Sequence, residues 1–151
     1  MDNNQKKYEY LIDSLKKGKL NIVKKLFDEL SKEIMSRDLG REVMREACLY
    51  NQLEIVKYVV EHKNKQAIED FNKNYGFIFY LVQQNQFWNI LNYFISDLNM
   101  PLSSDIKRAI TEMPKEDAEK INHMFEMREV KDSLDKSLQI NKIQKNKKLK
   151  V

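Results

Sequence analysis

Residues 46–61 read Glu46-Ala47-Cys48-Leu49-Tyr50-Asn51-Gln52-Leu53-Glu54-Ile55-Val56-Lys57-Tyr58-Val59-Val60-Glu61. Ile55, Val56, Val59 and Val60 recur at i, i+1, i+4 and i+5, a spacing that makes one apolar face on a helix. Ahead of them Ala47, Cys48 and Leu49 close an earlier helical stretch. Asn51 stands where the chain must reverse, and asparagine tolerates the left-handed backbone better than most residues. The stretch therefore reads as the end of one helix, a tight turn and a second helix.

Working outward, the same reading recurs upstream. Ser14-Leu15-Lys16-Lys17-Gly18-Lys19-Leu20-Asn21-Ile22-Val23-Lys24-Lys25-Leu26-Phe27 aligns without gaps on residues 47–60, at an offset of 33 residues from Gly18 to Asn51. Glycine adopts the left-handed conformation freely, so both turn positions carry chemistry suited to the same backbone. Downstream, Asn85 recurs 34 residues after Asn51, between Ile78, Leu81, Val82 and Ile90, Leu91, Phe94, Ile95; the second helix there needs one inserted residue to register. A fourth, weaker unit runs through Ile106, Ala109 and Ile110, a turn near Met113-Pro114, then Ile121, Met124 and Phe125. Pro101 and Pro114 fall where helices begin, and Ser103-Ser104-Asp105 offers a cap.

The string 46–61 resembles the ankyrin repeat: a small pair before a turn, then a helix carrying Ile-Val and two further apolar residues. Gly40, seven residues before Ala47, matches the loop glycine that precedes the first helix in that family, and Asn74-Tyr75-Gly76 looks like the same loop one unit on. The resemblance covers roughly residues 8–96 and, loosely, 97–127. It departs from the family in lacking a Thr-Pro-Leu-His start and Asp/Gly-rich loops, which puts the projecting finger loops in doubt before it does the helices. Helices of this kind would also build an unrelated bundle.

The expected fold is all-α: about four helix-turn-helix units, near 5–36, 37–70, 71–100 and 101–127, stacked as ankyrin-like repeats. Beyond them a capping helix at 128–143 and a basic, frayed tail at 144–151 are expected, with residues 115–143 forming either one long helix or two. Val130, Leu134 and Leu138 repeat every four residues and suit a stripe laid over the last repeat, with dimerisation through it as the alternative. A single domain is expected for 151 residues with 42% apolar and 33% charged content, and three Gly and two Pro are too few for a turn-rich β fold.

Charge and chemistry narrow the function. No acid follows Asp135, while Lys136, Lys142, Lys145, Lys147, Lys148 and Lys150 do; without these six, the net +4 becomes −2 for residues 1–135. The positive charge therefore sits in the tail and not on the body, unlike a typical nucleic-acid-binding domain. Cys48 is the only cysteine, which excludes an internal disulfide and a cysteine-bound zinc and reads as a buried structural thiol. His62 and His123 have no partner at ligand spacing, and the glycines are too scattered for a phosphate loop. Glu116, Asp117 and Glu119 suit the first turn of a helix. No enzyme, cofactor or metal is expected. The absence of a signal-like stretch at residues 1–7 and of any long apolar run points to a reducing, cytoplasmic setting, that of a host cell included, and to no membrane span.

What remains is binding. The resemblance implies a protein partner, a host protein among the candidates, gripped by the inner face that first helices form in this family. On that face Arg45, Tyr50, Phe79 and Tyr80 are residue types that dominate binding hot spots. The competing reading is an electrostatic adaptor that engages nucleic acid or an anionic membrane through Lys142, Lys145, Lys147, Lys148 and Lys150. A monomer is expected.

Overall fold

The structure, a computed structural model, describes residues 2–32, 36–62, 84 and 86–150. The described elements are α1 (Asn3–Lys16), α2 (Leu20–Leu30), α3 (Ser36–Leu49), α4 (Leu53–Glu61), α5 (Trp88–Asn92), a π-helical turn (Tyr93–Asp97), α6 (Ser104–Thr111) and α7 (Lys115–Leu149). Among the described residues there is no strand, so the protein is all-helical there. The chain divides into two compact units, Met1–Leu91 and Asn92–Val151. The division falls inside the stretch read as the third repeat, where a single repeat domain to residue 127 was expected.

In the first unit α1 pairs with α2 and α3 with α4, and the two hairpins meet α1 against α3 and α2 against α4. The turns that make the hairpins share their closing hydrogen bonds. At the end of α1, Lys19 N–H donates to Ser14 O at 2.9 Å and Gly18 N–H to Leu15 O at 3.0 Å; at the end of α3, Gln52 N–H donates to Ala47 O at 2.8 Å and Asn51 N–H to Cys48 O at 3.3 Å. These bonds take up carbonyls that a helix end would otherwise leave open. They require a left-handed residue, and Gly18 and Asn51 supply it at φ 66° and 54°. The next helix then starts identically: Ile22 and Val23 N–H donate to Lys19 O, as Ile55 and Val56 do to Gln52 O.

A left-handed residue also precedes the next described helix, one position after Asn85. Gln86 holds φ 55°, and Trp88 N–H donates to Gln86 O at 2.9 Å just as Leu20 N–H does to Gly18 O at 3.0 Å. Asn85, chosen for its tolerance of the left-handed region, lies outside the described residues, as do Gly76, Ile78, Leu81 and Val82. With Gln86 as the turn, Ile90 follows it by four residues, as Ile22 follows Gly18 and Ile55 follows Asn51. From Asn51 to Gln86 is 35 residues, two more than the 33 from Gly18 to Asn51.

Of the expected apolar faces Val23, Leu26, Phe27, Ile55, Val56, Val59, Ile90, Leu91, Phe94 and Ile95 are buried, while Ile22 and Val60 are only half-buried. The small pair of the resemblance is buried too, as Ala47 and Cys48. Its counterpart in the first hairpin is Ser14, fully buried with no partner for its hydroxyl among the described residues. Gly40 departs from the expectation. It is a buried position inside α3, which begins at Ser36, and not a loop residue ahead of the helix. Asp38 in the first turn favours this earlier start by complementing the helix dipole. Helical glycine costs roughly 1 kcal/mol against alanine, which burial must offset.

The second unit is built differently. Leu98 N–H donates to Tyr93 O at 3.1 Å, a bond one residue wider than an α-helical one, and Asn99 at φ 53° ends the segment. Ser103 caps α6, its hydroxyl accepting from Ile106 N–H at 3.3 Å, and Pro114 immediately precedes α7. Ile106, Ile110, Ile121 and Phe125 are buried, as the weak fourth unit required. The turn at 112–114 has no left-handed residue, so it does not repeat the hairpin geometry of the first unit. Arg128 ties α7 to the end of the π turn: its guanidinium donates to Ile95 O at 3.3 Å and to Met100 O, and lies 5.1 Å from the Phe125 ring. Orphan carbonyls at a helix end are thus met by a cation, which the helix dipole favours.

The separate cap at 128–143 and the frayed tail at 144–151 are corrected by α7, one 35-residue helix from Lys115 to Leu149. The apolar stripe covers nothing either: Val130, Leu134 and Leu138 are 51%, 59% and 59% exposed. The apolar face that packs in the second unit carries Ile121 and Phe125, and the later stripe follows a different side of the helix.

Two substitutions test the hairpin. Asn51→Gly should be neutral or stabilising while Asn51→Val destabilises by roughly 1–2 kcal/mol, since a β-branched residue is strained at positive φ. Val56, with no exposed surface, should tolerate charge least: Val56→Asp should cost several kcal/mol and leave a protein without the wild-type circular-dichroism melt.

Candidate functional site

The face formed by α1 and α3 carries the described candidates. Arg45 on α3 is half-exposed and pairs with two carboxylates of its own helix, Glu42 and, at 3.1 Å, Glu46. Tyr8 of α1 joins this group: burial raises its hydroxyl pKa first, then the negative charges of Glu42 and Glu46, and the hydroxyl bonds to Glu42. The hydrogen bond to Glu42 leads the causes that hold the Arg45 guanidinium charged above its ordinary range. Arg45 is therefore a tethered cation whose orientation is already set. Exposed pairs of this kind are worth little, so a partner carboxylate can replace either acid at small cost.

Tyr50 caps the end of α3, its N–H donating to Glu46 O at 3.0 Å, and its side chain is 42% exposed. Lys16 of α1 lies 5.3 Å from its ring centroid. Directly beside it the two turns interlock. Gln52 Nε2 donates to Lys16 O at 3.3 Å, and a Cβ at Gly18 would come within 2.8 Å of Gln52 Oε1. Glycine at 18 is thus favoured by its left-handed backbone, while a side chain there would push the flexible Gln52 amide aside. The outcome is a rigid end to the first helices on which an aromatic ring stands exposed beside a lysine.

Phe79 and Tyr80 lie outside the described residues; of the four candidates the structure describes Arg45 on α3 and Tyr50 at its end. Tyr10, which the sequence reading passed over, is 50% exposed. It borders a shallow hollow with Ile22 and Leu26 on the flank of the first hairpin, beside a Lys7–Glu29 ion pair at 3.3 Å. Tyr10 could have been found from its spacing, since it falls off the apolar stripe that Leu11 and Leu15 define.

The second-helix side is occupied differently. Tyr58 is buried and its hydroxyl donates to Asp28 Oδ1 at 3.1 Å; its ring meets Phe27 edge-on at 5.9 Å, with Lys24 5.3 Å away. This cluster joins α2 to α4. Lys57 pairs with Glu54 at 3.0 Å. His62 caps α4, its Nδ1 3.1 Å from Tyr58 O, and His123 is exposed on α7. Lys142, Lys145, Lys147, Lys148 and Lys150 all lie exposed at the end of α7 or just past it. No described helix is long and apolar enough to cross a membrane.

Compared with protein-family models, with curated proteins and with solved structures, the chain matches none.

Burial drives the Cys48 thiol up to about 12, and burial followed by the bond to Asp28 drives the Tyr58 phenol up to about 12. The folded chain keeps both protons where the unfolded chain, at ordinary values of 9.0 and 10.0, releases them. Their contribution is therefore complete below about pH 9 and is lost as the pH rises toward 12. Urea unfolding at pH 8 and pH 10.5 should show a falling midpoint, and the fall should be smaller in the Cys48→Ala/Tyr58→Phe variant.

Proposed function

We propose that the chain is a non-enzymatic protein-binding module whose first four helices act as degenerate ankyrin-like repeats and present the α1–α3 face to a protein partner. The observation that carries this reading is the exact recurrence of one turn geometry at Gly18 and Asn51, which holds two hairpins in the same register and leaves Tyr50 exposed at their rim. A rigid scaffold lowers the entropy lost on binding, and tyrosine loses little rotamer freedom when it docks. The tethered Arg45 adds directional donors on the same face. The outer side of α4 offers Lys57 and Glu54, long charged side chains that are costly to immobilise.

Affinity capture with the full chain, followed by quantitative binding to the captured protein, tests the reading. Tyr50→Ala should weaken binding by more than about 1 kcal/mol without lowering the melting temperature, and Lys57→Ala should do less than half as much. Silent Tyr50→Ala together with loss of binding on deleting residues 140–151 would instead assign the activity to the lysine-rich end as an electrostatic adaptor, with a steep salt dependence.

A further inference from the structure

Every residue from 129 to 150 is exposed, although all but Lys150 are helical. At about 1.5 Å per residue this is roughly 33 Å of helix without a packing face. Such a segment is marginal alone in water, because helices in proteins draw most of their stability from tertiary contact. Among the described residues, the ion pairs of α7 are confined to its first turns, as Lys115–Glu119 and Lys120–Glu116. Yet the exposed length carries Met127, Val130, Leu134, Leu138, Ile140, Ile143 and Leu149, each more than half exposed.

The positions on one side of α7 follow the alternating three- and four-residue spacing of a two-helix seam: Glu116, Lys120, His123, Met127, Val130, Leu134, Ser137, Asn141, Gln144 and Lys148. All ten are exposed. The seam is apolar only at its middle, and its two ends differ in sign. Residues 115–135 hold seven acids against four bases, a net −3, while residues 136–150 hold six lysines and no acid.

We propose that a second copy of this chain covers this side, the two α7 helices pairing antiparallel about a two-fold axis beside Asp132. In that register Val130 meets the other copy's Leu134, Met127 meets Ser137 next to Leu138, His123 meets Asn141, Lys120 meets Gln144 and Glu116 meets Lys148. About that axis residues 115–131, with five acids and four bases, lie along the other copy's residues 133–149, with five lysines and Asp135, so each copy's lysines meet the other's acids and one surface serves both, as a two-fold interface requires. The parallel arrangement brings twelve lysines together, two copies of the six, and is disfavoured by like-charge repulsion. The expectation of a monomer rested on the stripe being covered within the chain, and it is not.

The full chain should sediment as a dimer at about 50 µM in low salt, with association weakening as ionic strength rises. Val130→Lys/Leu134→Lys should weaken association about 100-fold or more, while the circular-dichroism signal of the first unit is kept, since both residues are exposed. Glu116→Lys and Lys148→Glu should each weaken it, and the two together in one chain should restore it. Spin labels attached at Lys148→Cys, with Cys48 buried and unreactive, should lie about 48 Å apart in the dimer, 32 residues at ~1.5 Å each. A monomer under these conditions overturns the proposal, and a monomer that binds phosphatidylserine vesicles assigns the helix to a lipid surface instead. A label separation under about 20 Å, or no restoration in the double charge swap, overturns the antiparallel register.

Discussion

Two helices can lie side by side only if the chain leaves the first without stranding its last carbonyls and enters the second within a few residues. At Gly18 and Asn51 one left-handed residue achieves both, returning two N–H groups to the helix just ended and freeing the next carbonyl to start the following helix. The rest of the first unit follows from this. Once both turns have the same geometry, α1 falls against α3 and α2 against α4. The apolar stripes of the second helices then face inward, and Gln52 can reach across to Lys16 O. Gly18 could not be another residue without displacing that glutamine.

The second unit rests on a different solution to the same problem. Its π turn carries the chain past Leu98, and its open carbonyls are met by Arg128 from a helix that begins eighteen residues after Asp97. A side chain from afar replaces the local closure. That choice fixes which side of α7 packs, through Phe125 and Arg128, and thereby leaves the Val130–Leu134–Leu138 side uncovered. The exposed stripe is thus a consequence of how the unit closes.

The two proposals divide along the same line. The α1–α3 face offers an aromatic ring on a rigid rim, with the polar group around Arg45 holding its own charges in balance. The distal half of α7 offers apolar length and unbalanced charge. The first suits recognition by shape and a few anchors, and the second suits association steered by charge.

The sequence by itself determined the helices, the two turns spaced 33 residues apart and the buried identity of Ile55, Val56, Val59, Phe94 and Ile95, because these depend on local backbone preference and on periodicity within one element. It also located Arg45 and Tyr50 on a first helix. Gln86 takes the left-handed backbone ahead of the helix at Ile90, while Asn85, which the sequence offered for the third turn, lies outside the described residues. Gly40 was read as a loop residue from its match to the family's loop glycine, whereas it is a buried position inside α3. Only the tertiary structure decided that Arg45 is tethered, that Tyr58 and Asp28 join two second helices, and that the stripe of α7 faces solvent. Each of these depends on which element lies opposite. A periodic pattern states that a face is apolar, but what covers that face is set by contacts between residues far apart in the chain.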